Sequence, residues 1–416
     1  MTSEYDIQFD GNSSRVFFAG QTMTGSVELN LALVKNITGV FIHITGYCEV
    51  NWTEKSGNND SGIEHYKGRE QYLDETLYLA GTKDGPAFEL PPGRHSYPFS
   101  FHLPQTLASS VEGKWGRVRY SVKLTMARPW MADNTQEVFF TVLRHLDLND
   151  NSLGIRKPLK VVENKIFCCW PCSSDPLFIA AEIPISGYVP GQTVAIKYDV
   201  HNQSSKRVYT LKANLVRTDV FKSEHPRTKH RSNEGVMDTV TNDGLGPRQR
   251  ATFEQFLKIH SCPPTTLTSS LITITYAIEL DIGVSGLSRN LKLYFPITIG
   301  TIPLANTAVP GYQSVSDVSP VATQPMSFSP SAPDMSSFAP TAPLLSHQYP
   351  EDLPPPTFEE AMQAVSVIKQ KQQEEEVPAI GWINFNPKYM VYRFDGYSSG
   401  AAPNLAHPIE YPMKKA

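Results

Sequence analysis

Apolar and polar residues alternate along many short stretches in the first 300 residues of this 416-residue chain. An alternation with a period of two buries one face of an extended strand and leaves the other in water, so each stretch predicts a β-strand. Residues 103–112 form a short helical candidate. Numerous short strands separated by Gly, Pro and Asn predict an all-β body of antiparallel sandwiches. The clearest alternating stretches are residues 27–31, 40–44, 118–124, 194–198 and 272–280.

The pattern repeats itself over a long interval. Gly20-Gln21-Thr22 precedes one early strand, and Gly191-Gln192-Thr193 precedes a similar strand at an offset of 171 residues. The late strand around Tyr120 corresponds to the strand around Tyr276, at an offset of 156. A repeat of this length indicates two domains of similar architecture rather than a solenoid.

The composition changes after the second repeat. Residues 303–416 contain 17 of the 33 prolines. They also contain 6 basic and 11 acidic residues, a net charge of −5, whereas the first 302 residues have a net charge of +1. A Ser/Pro/Ala-rich segment buries too little apolar surface to offset its ordering entropy, so we predict a mostly disordered tail. The predicted organisation is an N-terminal domain at 1–145, a linker at 146–175, a C-terminal domain at 176–302 and the tail at 303–416, with a helix at 357–373.

Charge and composition narrow the class of protein. The formal net charge of −4 and the lack of a long Lys/Arg run argue against a nucleic-acid binder. No apolar run approaches the roughly 18 residues of a membrane span, and residues 1–6 lack the pattern of a signal peptide. Five cysteines in a chain of this length favour a reducing compartment over a disulfide framework. We therefore expect a soluble cytoplasmic protein.

Five segments, in the order in which the family has them, resemble the arrestins, specifically the arrestin domain-containing or α-arrestin branch. The resemblance covers about residues 1–302, and the tail only in short motifs. It implies two immunoglobulin-like arrestin β-sandwich domains followed by the Pro-rich tail. The matching segments are 111–123 (VEGKWGRVRYSVK), 127–130 (ARPW), 165–172 (KIFCCWPC), 187–192 (GYVPGQ) and 353–361 (LPPPTFEEA).

The resemblance also implies a non-enzymatic adaptor in protein transport. α-Arrestins link membrane receptors or transporters, as cargo, to WW-domain HECT ubiquitin ligases and to endocytic adaptors. The implied location is the cytoplasm, with recruitment to the plasma membrane and endosomes. The alternative is an arrestin-fold trafficking coat subunit of the retromer type, which recruits no ligase. An adaptor needs functional linear motifs in its tail, whereas a coat subunit would tolerate deletion of the tail.

The segment Pro355-Pro356-Thr357-Phe358 resembles the PPxY ligand of WW domains, with the tyrosine replaced by phenylalanine. WW domains bind Pro-rich segments because their pre-extended polyproline II backbone fits an aromatic groove. A second interpretation is a helix start, since Thr357 and Glu360 have the spacing of a capping box and apolar residues follow at helical intervals. Both interpretations stay open at the sequence level.

The segment Asn386-Pro387-Lys388-Tyr389 matches the NPxY turn that phosphotyrosine-binding and clathrin adaptors recognise. The upstream position, Asn384, is polar where such motifs prefer an apolar residue. Short motifs also occur by chance in a Pro-rich tail. The neighbouring residues 385–394 resemble an aromatic block found in some α-arrestin tails.

Three cysteines, Cys168, Cys169 and Cys172, form the one cysteine cluster. A zinc site needs four ligands and a second Cys-x-x-Cys is lacking, so metal binding is disfavoured. Palmitoylation of exposed thiols beside Phe167 and Trp170 would favour peripheral membrane association. The alternative, which we favour, is that these cysteines pack as small apolar residues at the domain junction.

Basic residues gather in the second domain at Lys206, Arg207, Arg227, Lys229 and Arg231. On adjacent loops they would form an anion patch for phosphorylated cargo or anionic lipid, whereas a solvated loop is the simpler interpretation.

Motifs of catalysis are lacking in the sequence. It has no G-x-S-x-G elbow, no phosphate-binding glycine loop and no H-E-x-x-H. We therefore expect a protein that is not an enzyme and that needs no metal or other cofactor.

Overall fold

The computed structural model describes residues 3–55, 62–169, 172–173, 175–266, 271–286, 289–305, 356–361, 365–366 and 385–394. Within these ranges the regular structure consists of β-strands and one 3₁₀ turn at Asn151–Leu153. The prediction of an all-β protein is confirmed.

The N-terminal domain is a sandwich of two sheets. Its core contains rings from both sheets: Phe9 lies 5.3 Å from Phe17 and 6.3 Å from Phe140, measured between ring centroids. The first sheet has the order β1 (Glu4–Phe9), β3 (Thr22–Leu31), β8 (Gly93–His102). The second has the order β2 (Val16–Phe18), β11 (Asn134–Leu143), β10 (Gly116–Ala127), β5 (Gly39–Lys55), β6 (Ile63–Gly81), with β9 (Val111–Glu112) on β10. Strands β4 (Lys35–Ile37) and β7 (Phe88–Leu90) pair with each other.

The C-terminal domain repeats this arrangement. One sheet has the order β12 (Leu159–Lys165), β15 (Leu177–Ile183), β17 (Thr193–Asn202), β20 (Gln249–Lys258). The other has the order β16 (Gly187–Tyr188), β22 (Leu291–Ile299), β21 (Ile272–Val284), β18 (Val208–Lys222), β19 (His230–Asp243), β24 (Val365–Ser366). Strands β13 (Cys168–Cys169) and β14 (Cys172–Ser173) pair with each other in a separate two-stranded sheet.

All five predicted strands lie within observed ones, namely β3, β5, β10, β17 and β21. The alternation in β17 has the expected meaning, because Val194, Ile196 and Tyr198 are buried whereas Lys197 is exposed. A strand whose apolar residues recur every second position therefore has one face in the core, as the pattern predicted.

Two predictions of helix are wrong. Residues 103–110 form a loop instead of a helix. A buried side chain bonds to the backbone of this loop, because the hydroxyl of Tyr120 donates to the carbonyl of Ala108 at 2.8 Å. The predicted helix at 357–373 is replaced at its start by β23 (Thr357–Glu360), which pairs with β25 (Lys388–Val391). A capping box is a local signal, and here a distant strand supplies the backbone partners instead. The rest of that predicted helix lies outside the described residues, except for β24.

The predicted linker at 146–175 is not a simple connection. Strand β12 lies within it and pairs along its whole length with β15, so it belongs to the second sandwich. Asp147 forms a parallel bridge with Ile302, which brings the start of this segment against the end of the second domain. The sequence missed this strand because its residues are mostly polar or half-exposed.

Candidate functional site between the two domains

The two tail motifs meet in one small antiparallel sheet. Phe358 of the WW-like segment pairs with Met390, and Glu359 pairs with Tyr389 of the NPxY-like segment. The side-chain amide of Asn386 also donates to a carboxylate oxygen of Glu360 at 3.3 Å. The structure therefore brings together two sites that the sequence presented as separate.

On the side of the N-terminal domain, Tyr389 is the central contact. Only 2% of its surface is exposed, and its hydroxyl donates to the carbonyl of Ser110 at 2.9 Å. The backbone N–H of Lys388 donates to the hydroxyl of Thr141 at 3.1 Å. Burial raises the pKa of Tyr389, so its hydroxyl stays protonated and can donate at physiological pH.

On the side of the C-terminal domain, Tyr392 has the same role. It is also 2% exposed, and its hydroxyl donates to the carbonyl of Thr301 at 2.5 Å. Its backbone N–H donates to the carbonyl of Pro190 at 3.0 Å. The hydroxyl of Ser261 donates to the carbonyl of Glu359 at 2.8 Å, which ties β23 to the same domain. The tail residues 385–394 thus bridge both sandwiches; we call the depression that they occupy the tail groove.

Glycine is required beneath this segment at position 191. Gly191 has a φ of +100°, and a Cβ placed on it would lie 2.0 Å from the carbonyl oxygen of Tyr392. Any larger residue would collide with the backbone of the docked segment as well as adopt a strained conformation. The Gly-Gln turn that the sequence identified as a repeat thus also shapes the tail groove.

A buried cluster of charges lies next to Tyr389. Arg217 donates to both carboxylate oxygens of Asp219, at 2.7 and 2.9 Å, and more weakly to the carbonyl of Glu112 at 3.5 Å. Arg119 makes a similar two-bond pair with the Glu112 side chain, at 2.6 and 3.0 Å. Burial raises the pKa of Asp219 and of Glu112, although each adjacent guanidinium opposes the rise. The charges beside Tyr389 are therefore paired with one another.

The two sandwiches correspond to known families. The family model described as "Arrestin (or S-antigen), N-terminal domain" matches residues 5–149, and the model for the C-terminal domain matches residues 173–304. The chain belongs to the arrestin family. The match confirms the predicted family and the prediction of two arrestin domains.

Several proteins with similar sequences are named arrestin domain-containing proteins. Arrestin domain-containing protein 17 of Caenorhabditis elegans is 29% identical over 75% of this chain and 74% of its own length. Arrestin domain-containing protein 4 of Mus musculus is 28% identical over 71% of each chain. Arrestin domain-containing protein 1 of Rattus norvegicus is 26% identical over 74% of this chain and 67% of its own. These similarities place the chain among α-arrestin-like proteins, and arrestin-family proteins are adaptors rather than enzymes.

The structure divides the predicted anion patch of this arrestin. Lys206 and Arg207 precede β18, whereas Arg227, Lys229 and Arg231 follow it. The 15 residues of β18 separate the two groups by about 50 Å at roughly 3.3 Å per residue. A single patch of all five residues does not form, because the full length of β18 lies between the two groups. The sequence could not show the length of this strand.

The three later cations face the N-terminal domain. Arg227 donates to both carboxylate oxygens of Glu64, each at 2.9 Å, and Lys229 donates to Glu54. The guanidinium of Arg231 lies 4.0 Å from the centre of the Trp115 ring. We call this contact the charged seam. Its cations are paired with carboxylates and a ring rather than directed toward an outside anion.

The remaining predicted sites are located as follows. Cys168 and Cys169 pair with Ser173 and Cys172 through their backbones, but their side chains lie outside the described set, so lipidation and apolar packing both remain predictions. Pro355 lies outside the described residues, whereas Pro356, Thr357 and Phe358 are half-buried. Across the described part of the chain, no group of His, Cys, Asp or Glu is arranged to hold a metal, and no helix is long and apolar enough to cross a membrane.

Sequence reasoning missed the partners of the tail. Ser110, Thr141 and Thr301 belong to no motif. Ser110 and Thr301 contribute backbone carbonyls, which every residue has, and Thr141 contributes a single hydroxyl. Tyr392 was visible only as part of an aromatic block. Two features of the sequence could have pointed to Tyr392: its spacing of three residues from Tyr389, and the Gly-Gln turn in the body.

Proposed function

We propose that this arrestin is an adaptor that links membrane receptors or transporters to WW-domain HECT ubiquitin ligases and endocytic adaptors. In this proposal it acts in the cytoplasm and is recruited to the plasma membrane and endosomes. The supporting observation is that the two motif-bearing tail segments lie together against a two-sandwich arrestin body. Such an arrangement lets one body bind cargo while its tail, once released from the body, presents short ligands to other proteins.

The contacts of Phe358 set a condition on ligase binding. A WW domain binds its ligand as a polyproline II segment, whereas Thr357 and Phe358 lie here in a β-strand paired with Val391 and Met390. The Phe358 ring also packs against the buried core. Binding of a WW domain therefore requires β23 to leave β25, and the cost of that separation lowers the apparent affinity of the full chain.

The motif can be tested with a peptide of residues 346–376 titrated with isolated WW domains. Phe358→Tyr restores the missing hydroxyl, worth about 0.5–1.5 kcal/mol, so binding should tighten roughly two- to tenfold. Pro355→Ala should weaken it, because it disrupts the polyproline ridge. The same titration with the full chain should give weaker binding than the peptide, by the cost of releasing β23.

Two outcomes would contradict this part of the proposal. If even the peptide carrying Phe358→Tyr fails to bind any WW domain, this motif does not recruit ligases. If peptide and full chain bind equally, pairing with β25 does not limit access. Affinity purification with and without residues 303–416 then tests the adaptor role as a whole, because ligases should depend on the tail and cargo on the body.

A further inference from the structure

The tail groove has the construction of a peptide-binding site. It contains two deep positions for tyrosine, and each ends in a backbone carbonyl: Ser110 receives the hydroxyl of Tyr389, and Thr301 receives that of Tyr392. Both rings are 2% exposed. Aromatic side chains with a buried ring and a bonded hydroxyl are typical anchors at binding interfaces.

The backbone of the segment is recognised as well. Thr141 accepts a hydrogen bond from the N–H of Lys388, and Pro190 accepts one from the N–H of Tyr392. Gly191 allows the close approach of the chain, because its missing Cβ would lie 2.0 Å from the Tyr392 carbonyl oxygen. Backbone bonds fix the segment in the groove, while the two buried tyrosine positions select its sequence.

All of these contacts are made by the short segment 388–392 itself. They depend on its sequence and extended shape, and a separate peptide could make the same bonds. A segment attached to the chain competes at an effective concentration of about millimolar, so it occupies the groove even if its intrinsic affinity is modest.

We propose that the tail groove is a binding site for extended peptides with two tyrosines three residues apart. The tail supplies such a peptide, Tyr389-Met390-Val391-Tyr392, from within the chain. A Tyr-x-x-Tyr segment of a partner protein competes with it for the same site. The ligand is unphosphorylated at both tyrosines, because each hydroxyl must donate to a buried carbonyl, which a phosphate oxygen cannot do.

The experiment uses the full chain carrying Tyr389→Ala and Tyr392→Ala, which empties the groove, and a fluorescent peptide of residues 385–394 as the probe. Anisotropy should show binding at least tenfold tighter to this variant than to the unmodified chain, whose groove is occupied. Replacing both tyrosines of the probe by phenylalanine should weaken binding about fivefold for each lost hydrogen bond. A probe phosphorylated at Tyr389 should not bind.

Matched glycine variants test the location. Gly191→Ala in the emptied chain should abolish binding of the probe. Gly154→Ala is the control: Gly154 also has a positive φ, of +64°, but no atom lies within 4 Å of its added Cβ, so binding should persist. If the double alanine variant fails to fold, Tyr389→Phe with Tyr392→Phe replaces it, and the probe should bind this chain more tightly than the unmodified chain.

Three results would overturn the proposal: equal binding to the occupied and emptied chains, binding that survives Gly191→Ala, or tighter binding of the phosphorylated probe. None of these measurements uses a WW domain or replaces Phe358, although the bound probe re-forms the pairing of Met390 with Phe358. Failure here would therefore leave the ligase-adaptor proposal intact, and failure of the WW titration would leave this site intact.

Discussion

Two of the contacts that join the domains have opposite character. In the charged seam, long side chains meet at the surface: the Arg227 side chain is 63% exposed and that of Glu64 is 26% exposed. In the tail groove, Tyr389 and Tyr392 are each 2% exposed and bond to backbone carbonyls. Exposed ion pairs contribute little because water and salt screen them, whereas a buried ring contributes through its whole contact area.

The difference suggests a division of roles between the two contacts. The charged seam joins two parts of the body and can adjust, because its long side chains retain alternative partners in water. The tail groove joins the body to a segment from another part of the chain, and its contacts have a fixed geometry. The tail segment therefore stabilises one arrangement of the two domains more than the surface charges do.

The largest effect is expected from Tyr389→Ala. Removing a fully buried aromatic side chain typically costs about 3–5 kcal/mol. Here that cost should reduce the free energy of tail docking rather than the stability of the sandwiches. Hydrogen exchange should therefore speed up by more than tenfold at the amide of Tyr392, which bonds to Pro190. Tyr209→Ala, at a half-exposed ring, is the control. Unchanged protection at Tyr392 would show that the groove does not depend on its central ring.

A smaller effect is expected from Arg227→Ala in the charged seam. Exposed pairs are worth about 0.2–1 kcal/mol, so the melting temperature should fall slightly, and the difference from the unmodified chain should shrink in about 1 M salt. Arg207→Ala, an exposed cation at the other end of β18, should leave the melting temperature unchanged. A loss as large as that of Tyr389→Ala in tail protection would reverse the proposed ranking of the two contacts.

The smallest effect concerns pH. Burial raises the pKa of Glu54, but hydrogen bonds from Lys229 and Trp52 outweigh it, so the net pKa lies below its usual range. A carboxyl with a lowered folded-state pKa contributes stability above its unfolded pKa, about 4.3, and loses that contribution as the pH falls through the folded value. The seam should thus be unaffected between about pH 5 and 8 and should weaken below about pH 4.

Thermal unfolding of the unmodified chain and of Glu54→Gln measures this effect. The difference in melting temperature between the two chains should be constant at neutral pH and should disappear in acid. A difference that grows as the pH falls would mean that Glu54 is not ionised in the folded protein.

Much of the fold was predictable because its signals are local. The alternation at 194–198 follows from which side chains face the core, and the repeat of the Gly-Gln turn indicated two domains. The helix predicted at 357–373 failed for the opposite reason: the spacing of Thr357 and Glu360 satisfies a helix cap, but pairing with the distant strand β25 decided the backbone conformation instead. Strand β12 was missed because its polar residues carry no alternation.

The sequence by itself determined the all-β class, the two arrestin domains and the chemistry of the tail motifs, since these depend on residue types and short spacings. Only the tertiary structure decided that Phe358 and Tyr389 lie in paired strands, that Tyr389 and Tyr392 enter a groove between the domains, and that the cations after β18 meet carboxylates. Each of these facts depends on groups from distant parts of the chain, such as the backbone carbonyls of Ser110 and Thr301 and the carboxylates of Glu54 and Glu64. Such groups come together only when both sandwiches have folded and packed.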